Sequence, residues 1–127
     1  MVVDDDADTR FVLRLILEKD GHAVVEAEHG EAALAHLGLN RPDIVMTDLM
    51  MPVLGGEALI ARLRSEPSTA SIPIVVVSGN QTAARALHAS ALVEAVVIKP
   101  FDATELAACV QALVIRMTAI GPEVLAS

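Results

Sequence analysis

The sequence is poor in aromatic residues and in positive charge. It has two Phe and no Trp or Tyr, so it lacks the stacking surfaces on which single-stranded nucleic acids bind. Lysine and arginine together number 9, against 17 aspartates and glutamates, which gives a formal net charge of −8. Because nucleic-acid binders neutralise phosphates with clustered basic residues, this balance argues against direct nucleic-acid binding.

Cysteine and long apolar runs are also scarce. The sequence has one cysteine, Cys109, so an internal disulfide is excluded, as is usual for proteins of a reducing compartment. No apolar run approaches the roughly 20 residues that cross a bilayer. We therefore expect a cytoplasmic chain without membrane insertion. Its 127 residues and 54% hydrophobic content predict a single folded core.

Short apolar runs alternate with helical patterns along the chain. The runs are rich in β-branched residues and too short for surface helices, and they predict buried strands at residues 2–3, 23–27, 44–47, 74–77 and 96–98. Apolar residues recur at helical spacing between them, as at Val12, Leu15 and Ile16. Strand followed by helix, five times over, predicts an α/β domain with a doubly wound parallel sheet and helices on both faces.

Polar residues follow four of the predicted strands, at the edge where such sheets bind ligands. These residues are Asp4 and Asp5, Asp48, Ser78 and Lys99. Two or three carboxylates can hold Mg²⁺, which prefers oxygen ligands and keeps several waters. With magnesium in place, Asp48 can attack phosphorus while Lys99 and Ser78 neutralise the oxygens of the transferred group. The predicted product is an aspartyl phosphate.

Each of these residues has an ordinary structural explanation when it is taken alone. The acidic triplet Asp4–Asp6 can be a solvated loop, with Asp6 or Asp8 capping the first helix. Lys99 can be a strand-end cation, and Ser78 can be a turn hydroxyl. Their joint placement after four strands of one sheet is harder to explain in this way. The combination therefore favours a phosphoacceptor site around Asp48.

Four segments of the chain together resemble the receiver domain of two-component response regulators. In chain order they are Val2–Asp6, Met46–Pro52 with Gly56 beyond it, Val76–Gly79, and Ile98–Phe101. The match covers about residues 1–118 and leaves residues 119–127 as a C-terminal tail. The resemblance implies a flavodoxin-like five-stranded sheet with strand order 2-1-3-4-5.

The resemblance also implies a function in phosphorelay signalling. Asp48 would accept a phosphoryl group from a histidine kinase or a histidine phosphotransfer protein. Asp5, Asp48 and the backbone carbonyl of Met50 would bind Mg²⁺ directly, and Asp4 would act largely through a metal-bound water. The domain would not be an enzyme, apart from catalysing its own phosphorylation and dephosphorylation. It would switch the interactions of an output domain or a downstream protein.

Two positions depart from the usual pattern of the family. Val96 stands three residues before Lys99, where family members commonly have a Tyr or Phe ring that turns inward as the Ser78 hydroxyl moves. Gly55 stands where the family often has Asp. At Gly55 we expect an effect on loop geometry only. At Val96 we expect an output through the fourth helix that is muted or that relies on a backbone shift alone.

The predicted fourth helix is rich in alanine. Residues 81–91 include five alanines and little charge, so a helix there is favoured by propensity more than by an apolar face. Charged pairs that could join two copies through this face are scarce. We expect a monomer, or a weak dimer through another surface.

The sequence leaves two other functions open. A receiver-like binding module could keep the site and signal without phosphorylation, and Val96 favours this alternative. A haloacid-dehalogenase-like phosphatase would use Asp4 with Asp6, or Asp6 with Asp8, as nucleophile and acid. Such a phosphatase needs further acids after a later strand, where residues 78–80 supply none. The carboxylate that carries phosphate distinguishes a phosphatase from a receiver.

Overall fold

Strands and helices alternate along the whole described chain. A computed structural model describes the backbone of residues 1–126 and the side chains of residues 1–118. The strands are β1 (Val2–Val3), β2 (Glu26–Ala27), β3 (Val45–Thr47), β4 (Ile74–Ser78) and β5 (Ala95–Ile98). The helices are α1 (Ala7–Lys19), α2 (Gly30–Leu37), α3 (Gly56–Ser65), α4 (Gln81–Ala89) and α5 (Ala103–Ala126). The predicted alternation of elements is confirmed.

All strand pairs in the sheet are parallel. The order is β2-β1-β3-β4-β5, and Val2 of β1 lies between Glu26 of β2 and Met46 of β3. β4 pairs with both β3 and β5. Because the strands are parallel, their carboxyl ends share one edge of the sheet. The flavodoxin-like order predicted from the resemblance is confirmed.

Helices cover both faces of the sheet. Side chains alternate between the faces along a strand, so Val2 packs with Leu13 and Leu106 on one side while Val3 packs with Leu59 on the other. The first face is covered by α1 and α5, and the second by α2, α3 and α4. Burial on both faces explains why the strand sequences are continuously apolar.

The buried face of α1 differs from the predicted one. Leu13 and Leu17 are buried and Ile16 packs partly buried against the same cluster, whereas Val12 and Leu15 are 44% and 52% exposed. Phe11 is 60% exposed. Apolar residues occupy most sides of this helix, so spacing alone predicts a helix without selecting the side that faces the sheet. Packing against β1 and α5 selects it.

The last helix passes the predicted domain boundary. α5 continues from Ala103 to Ala126. The predicted tail, residues 119–127, lies outside the described side chains, and its boundary at residue 118 stays a prediction. Across the described residues, none of the helices combines the length and the hydropathy that a bilayer crossing demands.

Candidate metal centre

Three carboxylates meet at the carboxyl edge of the sheet. Asp4 and Asp5 follow β1, Asp48 follows β3, and these strands are neighbours. One carboxylate oxygen from each residue lies within 4.8 Å of the other two. Asp4 and Asp48 are only 1% and 7% exposed, whereas Asp5 is exposed. The structure thus brings together the three side chains that the strand ends predict, in a cluster of hard oxygen donors that suits Mg²⁺.

Lys99 supplies a positive charge to this cluster. Its Nζ lies 2.8 Å from Asp4 Oδ2 and 3.3 Å from Asp48 Oδ2. Its main-chain N–H donates to the Ser78 carbonyl at 2.9 Å, which holds the residue at the end of β5. One ammonium beside three carboxylates leaves an excess of negative charge, and a divalent cation would neutralise it.

Burial disfavours the charged forms of Asp4 and Lys99, whereas the ion pair between them favours those forms. Burial raises the pKa of Asp4, although hydrogen bonds from Lys99 and from the Asp6 N–H partly offset this effect. Burial also opposes the charge of Lys99, but the hydrogen bonds and charges of Asp4 and Asp48 outweigh it and raise the Lys99 pKa. Lys99 therefore stays protonated, and the buried carboxylates hold a cation in contact.

The main chain orients the carboxylate of Asp48. Its Oδ1 accepts hydrogen bonds from the Leu49 N–H at 2.7 Å and from the Met50 N–H at 3.4 Å. Its Oδ2 faces Lys99. The two oxygens thus have different surroundings, one fixed by the backbone and one beside an ammonium. The carbonyl of Met50 lies in the same loop, and its role as a metal ligand stays a prediction.

Ser78 lies at the same edge but outside the cluster. It is fully buried at the carboxyl end of β4, beside β3. Its hydroxyl accepts a hydrogen bond from the Asn80 N–H at 3.1 Å. Among the described residues, the hydroxyl forms no hydrogen bond with Asp48 or Lys99. Ser78 is therefore placed on the predicted edge, and its role with a phosphoryl group stays a prediction.

Gly56 allows α3 to begin directly against the backbone of Asp48 and Leu49. Its N–H donates to the Leu49 carbonyl at 3.0 Å. A Cβ at this position would collide with the Asp48 carbonyl and lie 2.7 Å from the Leu49 Cα. Only glycine fits so close to another backbone. In the sequence, only the spacing from Asp48 indicates that Gly56 is important.

The sequence did not reveal one residue that contacts the acidic loop, which comprises residues 4–6 after β1. Arg10, in the first turns of α1, donates from Nη1 to the Asp4 carbonyl at 2.6 Å. Its Nε donates to Glu26 of β2 at 3.2 Å. The sequence shows a basic residue six positions after Asp4. It does not show which way that side chain turns, because the phase of α1 is ambiguous.

Comparisons with known proteins agree with this arrangement. The family model for the response regulator receiver domain matches residues 1–111. The chain is 36% identical over 115 residues to the sensor histidine kinase TmoS of Ectopseudomonas mendocina, which is 90% of this chain and 12% of that protein. It is 35% identical over 124 residues to the transcriptional regulatory protein CseB of Streptomyces avermitilis, 96% of this chain and 52% of that one. The chain thus spans about half, or less, of these two relatives.

Solved structures are also similar over most of the chain. A response regulator receiver protein from Pseudomonas putida has a TM-score of 0.78 and 34% identity, with 87% of this chain and 93% of that one covered. A sensor protein from Polaromonas sp. JS666 has a TM-score of 0.83 and 28% identity, with 91% and 94% covered. With the five-stranded sheet and the acidic cluster, these matches show that the chain belongs to the response regulator receiver domain family of two-component signalling.

Proposed function

We propose that this receiver domain accepts a phosphoryl group on Asp48 in a Mg²⁺-dependent reaction. The donor would be the phosphohistidine of a histidine kinase or of a histidine phosphotransfer protein. The observation that carries the proposal is the meeting of Asp4, Asp5 and Asp48 within 4.8 Å, with Lys99 bonded to two of them. Such an arrangement of like charges is costly unless it serves to bind a cation or a reacting group.

Asp5, Asp48 and the Met50 carbonyl would hold the metal directly, and Asp4 would hold it through a bound water. These donors are all oxygens, which suits the preference of Mg²⁺ for a few protein ligands and several waters. When bound, the metal supplies positive charge that offsets the carboxylate repulsion and the charge on the phosphoryl oxygens.

The residues of the chain position the reacting atoms. Asp48 Oδ2 would form a bond to phosphorus while the phosphorus–nitrogen bond of the donor breaks and the imidazole nitrogen leaves with its electron pair. The Leu49 N–H holds Oδ1 and so fixes the direction of attack. Lys99 and Ser78 would bind oxygens of the transferred group. Beyond this self-catalysed transfer and the later hydrolysis, we propose no enzyme activity.

An exposed apolar face of α1 supports docking of the phosphodonor. Phe11 and Leu15 are four residues apart, so they share one side of the helix, and they are 60% and 52% exposed. α1 begins directly after the acidic loop, at Ala7. A donor protein bound to this face would lie next to the carboxylates.

The consequence of phosphorylation would be a change in contacts with an output domain or a downstream protein. TmoS is a sensor histidine kinase and CseB is a transcriptional regulator, so receiver domains similar to this one occur beside different outputs. A monomer or weak dimer, and a cytoplasmic location, stay predictions from the alanine-rich α4 and the lone Cys109.

Val96 favours a second candidate, a binding module that signals without phosphorylation. Val96 pairs in register with Val76 and packs against the core beneath α4. Its small aliphatic side chain offers no ring that could turn with Ser78. The phosphatase alternative has lost its basis, because Asp6 accepts the Asp8 N–H and caps α1, and because the chain belongs to the receiver family.

Incubation with a small acyl phosphate tests the proposal without a partner protein. In MgCl₂ we expect intact-protein mass spectrometry to show one phosphoryl adduct, and in EDTA we expect the adduct to be nearly absent. An adduct that formed equally in EDTA would contradict the metal requirement. Absence of any adduct in MgCl₂ would favour the phosphorylation-independent module.

A further inference from the structure

Arg10 ties the acidic loop to the neighbouring strand. Its guanidinium donates from Nη1 to the Asp4 carbonyl at 2.6 Å and from Nε to Glu26 Oε1 at 3.2 Å. The Arg10 side chain is only 17% exposed. α1 carries Arg10 and β2 carries Glu26, so the guanidinium is fixed between two elements of the fold.

The carbonyl that Arg10 contacts belongs to the peptide unit between Asp4 and Asp5. Asp4 itself is held at several other points, since its N–H donates to the Ala27 carbonyl at 3.1 Å and its carboxylate accepts the Asp6 N–H at 2.9 Å. The Asp5 side chain is exposed and makes no hydrogen bond to any described residue. The direction of the Asp5 carboxylate is therefore set through the backbone on both sides of its Cα: Arg10 holds the Asp4–Asp5 peptide unit, and the Asp4 carboxylate holds the Asp5–Asp6 peptide unit.

Glu26 lets Arg10 take this position without repelling a cation. A lone guanidinium beside the cluster would oppose the binding of a divalent ion. Glu26 balances that charge and also accepts Arg14 Nη1 at 2.7 Å, while Arg14 pairs with Glu18 at 3.0 Å, so two carboxylates match the two guanidiniums. The hydrogen bonds from Arg14 and Arg10 lower the pKa of Glu26, so its carboxylate stays ionised at neutral pH. Arg10 thus contributes geometry with little net charge.

We propose that Arg10 is a positioning residue for the metal site. By holding the Asp4 carbonyl it fixes the peptide unit from which the Asp5 carboxylate extends, and Glu26 holds the guanidinium in place. This inference rests on the proposed Mg²⁺ site and extends it to a residue that does not touch the metal. Removing a group that orients metal ligands typically weakens metal binding by about 10- to 100-fold.

A matched pair of variants, Arg10→Gln and Arg14→Gln, tests the role. Both remove an ion pair with Glu26, but only Arg10→Gln removes the contact with the Asp4 carbonyl. Isothermal titration with MgCl₂ gives the Kd of each variant and of the wild type, at a temperature where circular dichroism shows all three to be folded. We expect Arg10→Gln to bind about tenfold more weakly or worse, and Arg14→Gln to stay within about twofold of the wild type.

The rate of adduct formation provides a readout that a general loss of structure would not reproduce. Arg10→Gln should need about tenfold more Mg²⁺ for its half-maximal rate with acetyl phosphate. At saturating Mg²⁺ it should recover a maximal rate close to that of the wild type. If Arg10→Gln does not fold, Arg10→Lys keeps the positive charge but cannot reach both the Asp4 carbonyl and Glu26, and the same increase in Mg²⁺ requirement is expected there.

The outcomes separate this inference from the proposed function. Equal Mg²⁺ affinity in the wild type and Arg10→Gln would overturn the positioning role and leave the metal site intact. Equal losses in Arg10→Gln and Arg14→Gln would also overturn it, because the ion pairs in general would then explain the effect. A wild-type chain that binds no Mg²⁺ would overturn the proposed function, and the inference with it.

Discussion

The β1–β3 side and the β4–β5 side of the carboxyl edge differ in their polar contacts and in the side chains they carry. On the β1–β3 side, Asp4 and Asp48 are buried, and each carboxylate is bonded to a main-chain N–H and to Lys99. On the β4–β5 side, the Ser78 hydroxyl is bonded to a neighbouring N–H, and Val96 replaces the aromatic ring common in the family. The difference teaches that the carboxylates are held in place by several hydrogen bonds, whereas the position from which a ring commonly turns in the family carries an aliphatic side chain.

Lys99→Ala should have the largest effect, because Lys99 joins the two sides. Loss of its ammonium should slow adduct formation with acetyl phosphate by about 100-fold, the cost of removing one charge-stabilising group from a reacting site. Timed mass spectra at saturating Mg²⁺ give the rates. Lys19→Ala, at the exposed end of α1, is the control. If the two variants reacted at the same rate, Lys99 would have no role in the reaction.

Gly56→Ala tests whether the backbone after β3 is packed more closely than the backbone after β4. The new Cβ would collide with the Asp48 carbonyl, so we expect a loss of about 2 kcal/mol in the free energy of unfolding. Gly79→Ala, after β4, is the matched control, since an added Cβ there meets nothing within 4 Å. Urea unfolding followed by circular dichroism measures both. Similar losses in the two variants would contradict the contrast between the two sides.

Magnesium should stabilise the folded chain only through the carboxylates on the β1–β3 side. At a Mg²⁺ concentration of about ten times Kd, the free energy of unfolding should rise by about 1.4 kcal/mol. Asp5→Asn should lose this gain, and Asp43→Asn, in the exposed turn before β3, should keep it. Thermal unfolding with and without MgCl₂ gives the comparison. A gain that survived in Asp5→Asn would remove this residue from the metal site.

Val96→Tyr should have the smallest effect on adduct formation. It tests how the β4–β5 side responds to the adduct. We expect adduct formation at nearly the wild-type rate, because Val96 pairs with Val76 within the sheet and packs against the apolar core. The adduct should change amide hydrogen exchange in residues 79–91 more in Val96→Tyr than in the wild type, since a ring would couple this region to Ser78. Val96→Ile is the aliphatic control. Identical exchange changes in all three proteins would argue that a ring at this position carries no signal.

The strand-end residues could be predicted from the sequence because their placement follows from topology. A polar residue directly after a buried parallel strand must lie at the carboxyl edge, and this applies to Asp4, Asp48, Ser78 and Lys99. The structure places all four at this edge, and among the described residues the Ser78 hydroxyl forms no hydrogen bond with the carboxylates. The choice of hydrogen-bond partner depends on side-chain and loop geometry, which strand order does not determine.

The role of α1 could not be predicted in the same way. Apolar residues surround this helix, so periodicity did not indicate that Leu13 and Leu17 face the sheet while Phe11 and Leu15 face outward. The same ambiguity hid the contact between Arg10 and the Asp4 carbonyl. A long-range hydrogen bond depends on the phase of the helix, and tertiary packing decides that phase.

The central claim, that Asp48 accepts a phosphoryl group, is tested most directly by intact-protein mass measurement after incubation with acetyl phosphate and Mg²⁺. The proteins to compare are the wild type, Asp48→Asn and Asp43→Asn. We predict one phosphoryl adduct in the wild type and in Asp43→Asn, whose substituted side chain lies at the opposite edge of the sheet. We predict no adduct in Asp48→Asn, because the nucleophilic carboxylate is gone. An adduct that persisted in Asp48→Asn, or a wild type that took up no phosphoryl group, would contradict the assignment of Asp48 as the acceptor.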